Sequence, residues 1–116
     1  MVDRVFLDRL NKDRKLPIHR GLLRHVGPEM AVFLSYLVDQ YEAWDEQGLF
    51  AEDDSFVLTH MDLMYLTRMS ERIIRRCKKE ARELGLLKTK MKDVPPKEYY
   101  YLDLEAIWLL SQGRGE

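Results

Sequence analysis

The stretch "LTHMDLMYLTRMSERIIRRCKKEARELGLLKTK", residues 58–90, decides the fold because it carries the start signals of two helices in close succession. Thr59 is followed three residues later by Asp62, and this spacing matches a capping box, in which each side chain accepts a hydrogen bond from the other residue's backbone N–H. The pattern predicts a short helix from Met61 to about Arg68. A second start signal so soon afterwards leaves room only for a tight turn.

Ser70 marks the start of the second helix, since serine favours the N-cap position. Apolar residues then recur at spacings of three, four and three, which places one side of the helix against a core. These residues are Ile74, Cys77, Ala81 and Leu84. Gly85 is suited to end the helix, so a helix is predicted over residues 70–84. The side chains expected to point outward are Glu71, Arg72, Arg75, Lys78, Lys79 and Arg82.

A β-hairpin is predicted after this helix. In "LLKTKMK", residues 86–92, lysines alternate with less polar residues, which is typical of a strand with one exposed face. "DVPPKE" follows as a stiff turn, and "YYYLDL" is rich in strand formers. A long helix from Pro28 to Gly48, a short extended segment at 56–58 and helices at both ends complete the pattern. The predicted fold is mainly α with a small β-hairpin, in the α+β class.

Two short helices joined by a tight turn and followed by a hairpin resemble the winged form of the helix-turn-helix. The resemblance is close over residues 56–103, where "ELGLL" stands at the helix end and "VPPKEYYYLD" at the wing tip and returning strand. Over residues 17–105 the chain is similar to winged-helix proteins of bacteriophages and plasmids, including the DNA-binding portions of replication initiators. Lys78 departs from the pattern, since many members have an apolar residue there.

The resemblance implies a single winged-helix domain over residues 1–116, with its core at 28–103. Residues 1–27 form an N-terminal extension and residues 104–112 an additional C-terminal helix. The apolar stripe of Val2, Phe6 and Leu10 and the C-terminal "IWLL" lie outside the minimal fold. They either thicken the core of the same chain or form a two-fold interface, and we expect a homodimer.

Charge is distributed unevenly, although the formal net charge is only −1. Residues 25–67 contain nine acids and no Lys or Arg, whereas residues 68–93 contain ten Lys and Arg and four acids. Because charges are screened over about 8 Å at physiological salt, a partner feels the local charge rather than the total. The basic segment is therefore expected to attract a polyanion, provided that the fold keeps the acidic segment away from it.

The resemblance implies that the second helix, residues 70–84, enters the major groove of DNA with its N-terminal part deepest. Arg72, Arg75 and Arg76 are expected to contact bases, since arginine can donate two hydrogen bonds to guanine O6 and N7. The basic wing, residues 88–97, is expected to contact the flanking backbone. The full set of predicted DNA-binding residues is Thr59, Arg68, Ser70, Glu71, Arg72, Ile73, Arg75, Arg76, Lys79, Lys88, Lys90, Lys92 and Lys97.

We therefore expect a sequence-specific double-stranded DNA-binding protein that acts as a transcriptional regulator or replication-initiation factor of a phage, virus or mobile element. The alternative is a winged-helix module that binds another protein and no nucleic acid. A basic helix is also explained by a solvated face with pairs four residues apart, and the wing lysines by protection of an exposed edge strand. The sequence does not distinguish DNA from RNA.

Catalytic and cofactor motifs are lacking from the sequence, which has no Gly-rich phosphate loop, nucleophile elbow or Ser/His/Asp arrangement. The three histidines and single cysteine lack zinc-ligand spacing, and the acidic residues 52–54 lack a calcium-loop pattern and are expected to be solvated. Cys77, on the inward side of its helix, is expected to be a buried apolar residue. The sequence predicts a protein with no enzymatic activity, cofactor or metal.

The chain is expected to be cytoplasmic and DNA-associated. A single cysteine fits a reducing compartment. The longest apolar run, "MAVFLSYLV" at 30–38, falls well short of the roughly 18–20 residues that span a membrane. The first ten residues are charged and lack a small-residue cleavage site, so we expect no signal peptide.

Overall fold

One long helix lies at the centre of the fold. The computed structural model describes residues 3–13, 16–50 and 53–113, and within these it contains six helices and three strands. In chain order they are α1 (Arg4–Lys12), α2 (Arg20–Val26), α3 (Pro28–Gln47), β1 (Phe56–Val57), α4 (His60–Thr67), α5 (Glu71–Glu83), β2 (Leu87–Lys92), β3 (Lys97–Leu102) and α6 (Leu104–Ser111). The predicted α+β class is confirmed, and no helix of the described ranges is long and apolar enough to cross a membrane.

Both ends of α3 and the starts of α4 and α5 are formed as the sequence indicated. Pro28 opens α3, and Gly48 ends it in the left-handed conformation, with φ of 65°. Thr59 and Asp62 form the capping box of α4, at 3.0 and 3.1 Å. The Ser70 hydroxyl oxygen accepts a hydrogen bond from the backbone N–H of Ile73 at 3.3 Å and caps α5. Local side-chain chemistry therefore fixes where the central helices begin and end.

A three-residue turn at 68–70 joins α4 to α5. Arg68 adopts the left-handed conformation, with φ of 61°, and its N–H bonds to the carbonyl of Met64. The backbone N–H of Met69 donates to the Thr67 hydroxyl at 3.1 Å, which holds the turn against the end of α4. Two short helices with so tight a turn, followed by a hairpin, are consistent with a winged helix.

The three strands form one antiparallel sheet in the order β1-β3-β2. The β2–β3 hairpin runs from Leu87 opposite Leu102 to Lys92 opposite Lys97, with residues 93–96 as its turn. β1 adds a third strand by pairing with β3, which the sequence predicted only as an extended segment. Leu87 and Tyr100 lie in the core, so the neighbouring side chains along each strand face outward.

The core joins α3 to the sheet through aromatic and aliphatic side chains. Phe33, Leu34 and Phe56 are fully buried, and the Phe56 ring stacks on Tyr100 with 6.0 Å between ring centres. Ile74, Cys77 and Ala81 of α5 are buried as predicted. Burial of this continuous apolar surface is the main favourable term that holds the helices to the sheet.

Two predictions about α5 are wrong. Leu84 was expected to face the core but is 42% exposed, because the helix ends at Glu83 and Leu86, after the turn, is buried instead. Lys78 was expected to point outward but is only 5% exposed. Its place in the interior depends on polar partners from α4 and β3, described below.

The terminal helices differ in how they pack. The helix predicted from residue 2 begins at Arg4, and Val2 lies outside the described residues. Every residue of α1 is exposed, including Phe6 at 58% and Leu10 at 65%, so α1 does not thicken the core of its own chain. In contrast, α6 packs against α2 and buries Ile107.

A glycine sets how closely α2 and α6 approach. A Cβ placed on Gly21 would lie 1.9 Å from the backbone carbonyl oxygen of Ser111 in α6. Gly21→Ala therefore forces the two helices apart and should lower the free energy of unfolding by about 1–3 kcal/mol, the usual cost of overpacking. Urea denaturation followed by circular dichroism measures this loss. Arg20→Ala, at the exposed neighbouring position, should change stability little, and equal losses for the two variants would contradict the packing argument.

Candidate nucleic-acid interface

A buried ammonium group holds α5 in place. Lys78 Nζ lies 2.8 and 3.0 Å from the two carboxylate oxygens of Glu98 on β3, and 2.6 Å from Nε2 of His60 at the start of α4. An ammonium has three N–H donors and no acceptor, so Nε2 of His60 must accept, which requires a neutral imidazole with its proton on Nδ1. The three donors of Lys78 thus connect α5 to the hairpin and to α4.

The protonation of this cluster follows from its surroundings. Burial lowers the pKa of His60, and the nearby charges of Lys78 and Arg75 lower it further, against the opposing effect of Glu98 and Glu71. The pKa of Glu98 is also lowered: burial raises it, but the hydrogen bond and charge of Lys78 outweigh burial. Lys78, Glu98 and neutral His60 therefore carry no net charge together, and none of them adds to the outer positive face.

The cations on the exposed face of α5 differ in how free they are. Arg75 pairs with Glu71, one turn earlier, at 2.6 Å. Arg76 forms an ion pair with Glu29 at the start of α3, and this pairing raises the pKa of its guanidinium. Arg72 is exposed and forms no hydrogen bond or ion pair with the residues that the structure describes. Arg72 is therefore the most available cation at the N-terminal end of α5.

The residues around the α4–α5 turn are mostly exposed. Thr59 and Ser70 use their hydroxyl oxygens as helix caps, which leaves each O–H free to donate outward. Arg68, at the turn, is exposed as well. Ile73 is half-buried against the core, so the structure places it mainly as a packing residue. Lys79 is exposed and lies 4.0 Å from Glu83, too far for more than a weak pairing.

The hairpin carries its lysines on the outer face of the sheet. Lys88, Lys90 and Lys97 are exposed. Lys92 is half-buried, with its ammonium 3.0 Å from Asp53 and 4.3 Å from the ring centre of Tyr99. Its hydrogen bonds with Tyr101 and Asp53 raise its pKa. Among the predicted wing contacts, Lys92 therefore has its charge largely compensated, whereas the other three are available to a polyanion.

The acidic loop before β1 is bound to the hairpin. Asp53 accepts hydrogen bonds from Ser55 Oγ at 2.5 Å, Tyr101 Oη at 2.6 Å and Lys92 Nζ, and these bonds lower its pKa. The expectation of a simply solvated acidic loop is wrong for Asp53, because the folded hairpin presents three donors to it. Residue 52 lies outside the described residues.

The acidic segment, residues 25–67, is not kept wholly apart from the basic one. Glu29 pairs with Arg76 and Asp53 with Lys92, so the two segments meet at one side of α5 and at one edge of the hairpin. The N-terminal end of α5 is free of such contacts at Arg72 among the described residues. The positive surface is thus narrower than the sequence suggested and is centred on the α4–α5 turn and the free hairpin lysines.

One groove brings predicted residues from three elements together. It has a volume of about 490 Å³ and is lined by Thr59 at the start of α4, Arg75 on α5 and Lys97 on the hairpin. His60 and Lys78 line it as well. Sequence reasoning missed His60 and Glu98 as partners of Lys78, although the departure of Lys78 from the apolar pattern was the signal that pointed to them.

Features typical of catalytic or metal sites are few in the described part of the chain. Burial raises the pKa of the Cys77 thiol, and the side chain packs in the core as predicted. Within residues 3–13, 16–50 and 53–113 no three His, Cys, Asp or Glu side chains are grouped so that they could hold a metal ion.

Three solved structures are similar to this chain. One is described as the N-terminal domain of a DNA binding protein, and another as a Rep-DNA complex. Each matches with a TM-score of 0.66 and 19% identity over 84% of this chain, covering 79% and 80% of the other chain respectively. The third, described as an MDR initiator, has a TM-score of 0.60 and 16% identity over 95% of this chain and 97% of its own. At these identities the likeness establishes the fold.

No protein-family model matches the chain, and no curated protein sequence matches it.

The buried Lys78 cluster makes a stability prediction with a matched control. Lys78→Ala leaves Glu98 partly buried without its cation and should lower the free energy of unfolding by about 2–3 kcal/mol. Lys79→Ala, at the next position, removes an exposed side chain and should change it by less than about 0.5 kcal/mol. Urea denaturation of both variants tests the difference. Similar values for the two variants would mean that the Lys78 contacts contribute nothing net.

The same cluster predicts a pH dependence of stability. Because the pKa of His60 is lowered by folding, the unfolded chain binds a proton more readily, and stability present above pH 6.5 falls as the pH is lowered below it. The lowered pKa of Glu98 adds a further loss below pH 4.5. The thermal midpoint should therefore decrease between pH 6.5 and 4.5, and His60→Gln should reduce that decrease. An unchanged pH profile in His60→Gln would contradict the assignment to His60.

Proposed function

We propose that the chain is a sequence-specific double-stranded DNA-binding protein that acts in replication initiation on a phage, viral or other mobile genome. The N-terminal part of α5 enters the major groove, and the exposed hairpin lysines contact the flanking phosphates. Contacts to phosphates position such a protein, whereas contacts to base edges specify the sequence. The protein acts without enzymatic activity of its own, and it binds DNA as a homodimer.

The observation that carries the proposal is the free, exposed Arg72 at the N-terminal end of α5, next to a turn with exposed Arg68 and Ser70. The cations that pair with Glu98, Glu29 and Asp53 are compensated within the fold, which leaves Arg72 and the exposed hairpin lysines available to a partner. An uncompensated arginine at the leading turn of an exposed helix is suited to bidentate hydrogen bonding with guanine.

The structural neighbours support the same proposal. A structure described as a Rep-DNA complex and another described as an MDR initiator share the fold. They favour replication initiation over transcriptional regulation, while the surface chemistry of this chain supports the DNA contact itself. The uncompensated cations on α5 suit the phosphates of DNA and favour this function over that of a protein-binding module.

Arg72 and Arg76 provide a matched test of which cations contact bases. Arg72→Ala should weaken binding to a selected duplex by about 1–3 kcal/mol with no change in stability. Arg76→Ala should weaken binding much less, since its guanidinium is occupied by Glu29, and should change the thermal midpoint little because both partners are exposed. Selection of random duplexes on the purified protein supplies the target, and fluorescence anisotropy measures the affinities.

The salt dependence of wild-type binding is the control for this experiment. Log affinity should fall linearly with log salt, with a slope of roughly −0.9 for each phosphate neutralised. Equal loss on selected and random duplexes would reassign Arg72 to a phosphate contact. A flat salt response, or no binding to any duplex, would overturn the proposed function.

A further inference from the structure

We propose that α1 of one chain docks in an apolar, acid-flanked groove between α2, α3 and α6 of a second copy, and that this reciprocal exchange builds the homodimer. This proposal rests on the proposed function, in which the chain binds DNA as a homodimer, and it names the surfaces that form that dimer. Two complementary features of the same chain identify a second copy as the occupant of the groove: the apolar side of α1 and the groove itself, neither of which is covered by the residues that the structure describes.

The first feature is the apolar side of α1, which none of the residues in the described ranges covers. At 100° per residue, Phe6, Leu7 and Leu10 fall on one side of the helix, flanked by Arg4 on one edge and Arg9 on the other. Phe6 and Leu10 are 58% and 65% exposed, and Arg9 lies over the Phe6 ring at 5.4 Å. A nine-residue helix is marginal in water by itself, so α1 needs tertiary or quaternary contacts to persist.

The second feature is a groove of about 390 Å³ on the side of the molecule where α6 packs on α2. Its lining is mainly apolar, with Val38, Leu104 and Ile107 among the residues that form it. Trp108 also lines it and is 55% exposed, which is unusual for so large an apolar side chain. Half-buried tryptophans beside a pocket are frequent anchors of protein interfaces.

Charge complements shape at the two surfaces. Asp39 and Glu42 line the groove and form no hydrogen bond or ion pair with the residues that the structure describes. Arg4 forms none either, and Arg9 contacts only the Phe6 ring. An apolar helix face edged by arginines therefore meets an apolar groove edged by carboxylates, so that both the hydrophobic and the ionic contacts are matched.

A second copy fits better than any other occupant because the two surfaces belong to one chain. In its own chain α1 has every residue exposed, so it does not occupy its own groove. A two-fold exchange uses each surface once per chain and gives a closed dimer, in which neither α1 nor this groove is left unpaired. Since α5 packs on α3, α4 and β2, this arrangement leaves its outer face available.

Charge reversal tests the exchange, because only contacts between α1 of one chain and the groove of the other would restore dimerisation when two variants are mixed. One variant carries Arg4→Glu and Arg9→Glu, and the other carries Asp39→Lys and Glu42→Lys. In each variant alone, α1 and groove have like charges, and the dimer dissociation constant should rise about tenfold or more. In an equimolar mixture each α1 meets a groove of opposite charge, so a heterodimer should form with near wild-type affinity. Sedimentation velocity without DNA measures all four samples.

A third variant keeps the test independent of charge. Phe6→Ser, at an exposed position, should weaken the dimer about tenfold or more while leaving the thermal midpoint of the monomer unchanged. A wild-type chain that remains monomeric at all concentrations, a mixture without rescue, or a Phe6→Ser dimer of wild-type affinity would each overturn the proposal. Anisotropy with random duplex DNA on the same samples separates the two proposals, since dimer-deficient variants should retain non-specific DNA binding.

Discussion

The ammonium group of Lys78 is the constraint on which the arrangement of α4, α5 and the hairpin depends. It is buried and directs its three donors to Glu98 on the hairpin and to neutral His60 on α4. A buried cation is tolerated only when its donors are all satisfied, so the three elements cannot shift independently of one another. The orientation of α5 relative to the hairpin is thereby fixed by hydrogen bonds as well as by the apolar contacts of Ile74, Cys77 and Ala81.

The remaining cations of the basic segment fall into two groups, those that pair with acids within the fold and those that do not. Arg76 and Lys92 are bound to acids of the upstream segment, and both contacts help to position helices and strands. Arg72, Arg68 and the three exposed hairpin lysines keep their charge for a partner. A nearly neutral chain can therefore present a local positive charge, because its acids neutralise some cations of the basic segment and leave Arg72, Arg68 and the exposed hairpin lysines uncompensated.

Much of the fold could be predicted because it is encoded locally. The capping box at Thr59, the cap at Ser70 and the glycine at residue 48 act within a few residues of sequence, and each is found as predicted. The contacts of Lys78 with Glu98, and of Asp53 with Tyr101, join residues far apart in sequence, so periodicity alone could not find them. Leu84 was assigned to the core because its spacing fits a helix that in fact ends one residue earlier. Arg72 and Lys88 are exposed as expected, but only the tertiary structure distinguishes them from Arg76 and Lys92, whose charges are paired with acids.

The central claim is that the N-terminal part of α5 and the exposed hairpin lysines form one surface for duplex DNA. Titration of the ¹⁵N-labelled protein with a random-sequence duplex, followed by amide chemical shifts, tests this claim most directly. If these elements bind DNA, the largest shifts should occur at residues 68–75 and 88–97, with little change along α6. Shifts concentrated on α6 and the α2–α3 side, with α5 unaffected, would contradict it.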